Sequence, residues 1–272
     1  MERMLSAWDM ARVAALSAVA VIAAVQALPP LAAAERLTED WAVARLAPAR
    51  PRHDRVVIVA ITEDTLARLP YRSPLDRGLL AGLVTTLRAK GAAAIGLDVL
   101  FDQPSEPAKD RALHDVLTAP GAPVAVLAAG APAALTQRQR DFHAAFLGGV
   151  LSGHGHLARD RLDGAVRQQL PWLDGRLSLP ATLAAAGAGV VPEALAPQRI
   201  DWLRPAQGPS AVAIFPAEAA AVLPPSWVAG KLVLVGLIVP DADRHRTPLT
   251  LGRAPMPGVE IQAQVLAQML DH

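Results

Sequence analysis

The chain has 272 residues, 52% of them hydrophobic and 19% charged, with a formal net charge of +1. That balance, without a basic block interleaved with aromatics, leaves no electrostatic footprint for nucleic acid. There is no cysteine, which excludes a thiolate zinc site and a disulfide framework.

Residues 13–34 contain no charge. As a helix they would extend about 33 Å, enough to cross a bilayer, with Pro29 and Pro30 ending or kinking it near its outer end. Arg3 and Arg12 precede the run, and Glu35, Glu39 and Asp40 follow it. The basic side points to a cytoplasmic N-terminus and an exported remainder. A cleaved signal peptide is the rival, because Ala32-Ala33-Ala34 resembles a small-residue cleavage site, but the run is longer than a usual signal core. A buried core helix is the third reading. The expected organisation is therefore a transmembrane anchor over residues 1–34, a polar connector over 35–54 with a helix around Trp41, and one α/β domain over 55–272.

Residues 56–61 are an unbroken β-branched run, the pattern of a strand buried on both faces of a parallel sheet. Leu75, Leu79, Leu80, Leu83, Val84 and Leu87 then recur at helical spacing. Ser73 as N-cap, Pro74 as first helical residue and Asp76 mark the start; Arg88, Lys90 and Gly91 mark the end. A second buried strand over 93–101 completes a βαβ unit. It carries an acid in an otherwise apolar run. Gly96, Asp98, Leu100 and Asp102 alternate onto one face, with Asp98 near the carboxyl end, where open α/β sheets hold their sites. Asp98 either contacts a ligand or cation, or braces the loop after the first strand by accepting its N–H groups or pairing with Arg77.

Further elements follow in order: a helix over 110–117, a strand over 123–129, a helix over 136–147 capped by Thr136, and a strand over 150–157. Asp163-Gly164 turns a hairpin that runs to Leu170. A helix over 178–186 ends at Gly187. Short strands at 199–203 and 211–215 lie near one another, then come a small helix over 216–223, a buried strand over 231–237 and a helix over 257–270. The strands 56–61, 93–101, 123–129 and 231–237 are expected in one mainly parallel sheet flanked by helices on both faces. His154 and His156 would share a strand face, but no third metal ligand has matching spacing, and Asp241, Asp243 and His245 read as a polar, solvated turn, with cation binding as the alternative. Gly230-Lys231 has the wrong glycine spacing for a phosphate loop, and neither a G-x-S-x-G elbow nor an H-E-x-x-H motif occurs. No cofactor and no catalytic constellation is read.

The order of several short motifs resembles the CHASE2 domain, an extracytoplasmic sensory module of bacterial membrane receptors. Ile61-Thr62-Glu63-Asp64-Thr65-Leu66 is similar to that family's first strand and acid pair, and residues 94–101 to its strand ending in an aspartate three residues before a phenylalanine. Asp163-Gly164-Ala165-Val166-Arg167 matches a D-G-x-x-R turn. Residues 230–236 match a late G-K-x-V-x-V-G strand, and Thr247-Pro248-Leu249 with Met256-Pro257-Gly258-Val259-Glu260 complete the series. Thr62 stands where the family has the first acid, and Pro70-Tyr71-Arg72-Ser73-Pro74 replaces a Trp-Pro-Trp-Pro-Arg region. The resemblance implies a sensor in the bacterial inner membrane with its main domain in the periplasm. It would detect an unknown signal and pass it to an output such as a nucleotide cyclase or protein kinase, as a truncated receptor or a free-standing sensor with a partner, and it could act as a homodimer. Candidate ligand contacts are Glu63, Asp64, Arg77, Asp98 and Asp102. The alternative is a secreted periplasmic α/β enzyme of unknown reaction using Glu63, Asp98 and Asp102 as acids.

Overall fold

The β-branched runs fold as their pattern dictates. The structure, a computed structural model, describes residues 7–27, 29–129 and 135–271. Its main strands are β1 (His53–Ile61), β2 (Ala94–Leu100), β3 (Val124–Ala128), β4 (Leu151–His154), β5 (Val212–Pro216) and β6 (Leu232–Leu237). They form one six-stranded sheet in the order β5-β1-β6-β2-β3-β4, and every pairing is parallel. The helices are α1 (Ala7–Ala27), α2 (Pro29–Leu46), α3 (Glu63–Ala67), α4 (Arg77–Ala89), α5 (Pro107–Thr118), α6 (Gln137–Phe146), α7 (Leu179–Ala188) and α8 (Gly258–Asp271).

The four strands expected to share a sheet do so, and β6 lies between β1 and β2. Alternate residues serve two cores. Val57, Val59, Ile95, Leu97, Val233 and Val235 pack with Leu80, Val84 and Leu87 of α4 and Leu113 of α5. Val56, Ile58, Ala94, Leu232 and Leu234 pack with Leu179 and Leu183 of α7 and Val259, Ile261 and Leu266 of α8. With both faces covered, alternation of polar and apolar residues has no physical cause, so the strands read as continuous apolar runs.

Several boundaries differ from expectation. Helix α4 begins after Asp76, whose Oδ1 accepts the Leu79 N–H at 2.9 Å; Ser73 and Pro74 stay in the preceding loop. The carboxylate caps an N3 amide directly, which decides the start. Helix α7 runs through Gly187 to a left-handed C-cap at Gly189. Gly187 is there for space: a Cβ would lie 2.5 Å from Leu232 Cδ2 and 2.6 Å from Ala94 Cβ. Strand β5 does not pair near 199–203; it is the sheet edge beside β1. The fourth strand ends at His154, so His156 leaves it: His154 is buried and His156 exposed, and they do not share a face. Burial and the neighbouring His156 push His154 down to about 4. The hairpin at Asp163-Gly164 is present, with residues 158–159 antiparallel to Val166–Gln169.

The N-terminal expectation requires correction. Among the described residues no helix is long and apolar enough to cross a membrane. The uncharged run is shared between two helices, α1 and α2, on either side of residue 28. Its part within α1, residues 13–27, would extend only about 22 Å against a hydrocarbon core of about 30 Å. Helix α2 takes up the first part of the expected connector, to Leu46, includes Trp41, and docks on the main domain. Arg167 of the D-G-x-x-R turn, buried, donates from Nε and Nη2 to Asp40 Oδ1 and Oδ2 at 2.9 and 2.7 Å. It also donates to both oxygens of Asp163, at 3.0 and 2.6 Å. Arg36 of α2 pairs with Asp160 at 2.6 Å.

Candidate functional site

A cavity of about 440 Å³ opens at the carboxyl end of the sheet. The loop after β1 supplies Arg72 and Leu75, the start of α4 supplies Arg77, and the end of β2 and its loop supply Asp98, Asp102 and Gln103. Leu127, Leu157 and Leu237 line it as well, and the far wall is Asp243 with Gly258 and Gln262 of α8.

Asp98 is half-buried, and among the described residues no hydrogen bond reaches its carboxylate. Burial, reinforced by the like charge of Asp243, raises it from the usual carboxylate range to about 7. The expected bracing role is therefore not what is found, and Arg77 is not its partner. Arg77 is only 1% exposed. Its Nη1 and Nη2 donate to the carbonyls of Leu75 and Gln103, both at 3.0 Å. Its Nε lies 3.4 Å from Asp110 Oδ1, and its guanidinium sits 4.6 Å above the Phe101 ring. Arg77 holds the two loops of the cavity mouth together, with its charge paired to Asp110 and its Nε–H making no hydrogen bond among the described residues.

The other expected contacts divide. Asp102 lines the cavity but accepts the Gln139 Nε2 of α6 at 2.7 Å. Glu63 is engaged by Arg72, whose Nη2 donates to both its oxygens at 2.8 and 2.7 Å. Asp64 is exposed in the first turn of α3 and is not part of the lining. Thr62, in place of the family's acid, caps α3 through a reciprocal pair with Thr65.

Two residues of the site were not chosen from the sequence. Asp243, read as part of a solvated turn, adopts φ +49°. Its Oδ1 is 2.8 Å from His245 Nε2, and its backbone carbonyl accepts the Gly258 N–H at 2.9 Å. Gln262, 4% exposed, donates from Nε2 to the Gly155 carbonyl at 3.2 Å. The available signal was the glycine of Met256-Pro257-Gly258: a Cβ there would meet Asp243 Oδ2 at 2.0 Å. Among the described residues no group of three or more His, Asp and Glu side chains is arranged to hold a metal ion.

A family model for the CHASE2 domain matches residues 15–272. The chain belongs to the CHASE2 family. No curated protein and no solved structure matches it. CHASE2 domains are extracytoplasmic sensory domains, which fits a cavity built largely from loops at one end of the sheet. In this CHASE2 domain the D-G-x-x-R arginine lies away from that cavity and fastens α2 instead. The strong hydrogen bonds from Arg167 hold Asp163 down at about 2.

A second cavity, about 400 Å³, touches another face of α8 and is lined by Ala44, Arg204, Arg253 and Glu260. Burial raises Glu260 above the usual carboxylate range. Arg204 donates to the Ala47 carbonyl at 2.7 Å, bracing the end of α2.

Proposed function

We propose that this chain is an extracytoplasmic sensory domain whose signal is a small molecule bound in the Asp98 cavity. The observation that carries the reading is a carboxylate on a buried strand, lining a cavity at the carboxyl end of a parallel sheet, with no hydrogen-bond partner among the described residues. Burying a polar group without a partner costs free energy, and a ligand that satisfied it would recover that cost on binding. Membership of the CHASE2 family supports sensing over catalysis.

The finer reading is a membrane-attached sensor that signals to an output partner. Attachment is supported by the charge-free residues 13–34 and by the exposed Trp8, Leu16, Val19, Val21 and Ile22 of α1. Communication is supported by the Arg167–Asp40 pair, which ties the helix following α1 to the sensory domain. The proposed organisation keeps residues 1–34 as attachment and 55–272 as sensor, with 35–54 between them as a docked connector.

A thermal-shift screen of the full chain against anionic, neutral and cationic metabolites tests the proposal, because a ligand that binds only the native state raises its stability. At least one compound should stabilise the chain and lose its effect in Asp98→Asn. A library without any stabilising compound, or with equal shifts in the variant, would overturn it.

A further inference from the structure

We propose that the Asp98 cavity selects a small organic cation, an ammonium group carried on a compact apolar body. The inference rests on the sensory reading and names the ligand class for the same site.

Asp98 offers a carboxylate with no hydrogen-bond partner among the described residues. Gln262 offers an amide oxygen. Its orientation is fixed because the Gly155 carbonyl can only accept, so the amide nitrogen must face it. Among the described residues the Gln262 Oε1 has no partner, although the residue is 96% buried by its 4% exposure. Asp243 adds a second carboxylate with one oxygen engaged by His245. The cationic side chains in the lining are committed elsewhere: Arg77 to Leu75, Gln103, Asp110 and Phe101, and Arg72 to Glu63. Open carboxylate and amide oxygens, beside two guanidinium groups whose charges are already paired with Asp110 and Glu63, call for a ligand rich in N–H groups and positively charged.

The apolar part of the ligand follows from the walls. Leu100, Leu127, Leu157 and Leu237 line the cavity, and its volume is in the range of small-molecule sites. An anion would enter against Asp98 and Asp243. A bare divalent cation needs six or more oxygen ligands, and no three-residue acid or histidine cluster among the described residues is arranged for one.

The test uses the full chain and n-butylammonium chloride, with sodium chloride, calcium chloride, sodium butyrate and n-butanol as comparisons at matched ionic strength. Butylammonium should raise the melting temperature saturably. The shift should disappear in Asp98→Asn and shrink in Gln262→Leu. In the unmodified chain the apparent affinity should fall about tenfold from pH 8 to pH 6, as the fraction of ionised Asp98 falls. The other charged or titratable groups facing Asp98 across the cavity are Asp102, Asp243, Arg72 and Arg77, with His245 behind Asp243. The pH profile needs no variant, so it decides the matter even if a substituted chain does not fold. Butylammonium acting no better than sodium chloride, or an affinity that rises toward pH 6, would overturn the proposal. Stabilisation by butyrate or butanol that depends on Asp98 would overturn the cation and leave the sensory cavity standing. A larger Asp98-dependent shift with calcium would overturn it in favour of a metal.

Discussion

Asp98 gives up its proton less readily in the folded chain than in the unfolded one. Its folded pKa is raised to about 7, so between the ordinary carboxylate range and that value the unfolded chain ionises first and stability declines as pH rises. Asp98→Asn removes this penalty. The variant should be more stable than the parent at pH 8, by at most about 4 kcal/mol, and equal to it near pH 4, as urea unfolding at the two pH values would show. Had the carboxylate braced a loop, the same substitution would destabilise. Arg167 behaves in the opposite sense. Removing it leaves Asp40 and Asp163 without their cation, beside an Asp160 still held by Arg36, so Arg167→Ala should cost about 3–5 kcal/mol. The depressed Asp163, held at about 2 by Arg167, contributes stability that is present above the ordinary carboxylate range. That contribution should be lost as pH falls from about 4 through 2, which acid titration followed by circular dichroism would register. Asp98 was legible in the sequence because an acid interrupts an apolar strand. Its lack of a partner was not, because Arg77 stands close in sequence and only the fold shows it turned to Asp110 and Phe101.

At the scale of elements, glycines mark where layers approach. Helix α7 crosses the sheet at Gly187, and even one added methyl group would press on Leu232 and Ala94. Gly187→Ala should lower stability by about 1–3 kcal/mol in a denaturant titration, despite alanine's better helix propensity. The central strands were readable because burial on both faces demands an uninterrupted apolar run. The two edge strands were harder. Leu151–His154 carries Ser152 and Gly153, and Val212–Pro216 is only five residues long; a strand paired on one side has weaker sequence demands. Helix α1 presents an apolar surface without enough uncharged length in one helix to span a bilayer. We expect the full chain to float with liposomes in a density gradient and a chain beginning at Pro29 to remain below them. Equal behaviour of the two would remove α1 as the attachment.

Across the whole molecule, the cavity and the α2 dock lie on different parts of one scaffold, linked by α8 and the loops that precede it. Gly258 and Gln262 of α8 line the Asp98 cavity, while Glu260 and Gln264 line the second cavity beside Ala44 of α2. That convergence was illegible in the sequence: Asp98, Asp243 and Gln262 are brought together only because β6 enters the sheet between β1 and β2 and α8 then packs across it. Hydrogen–deuterium exchange on the full chain, with and without the compound giving the largest thermal shift, tests the central claim most directly. Binding at the carboxyl end of the sheet should slow exchange in residues 98–103, 237–243 and 258–262. Protection confined to residues 204–211 and 249–257, around the second cavity, would contradict it.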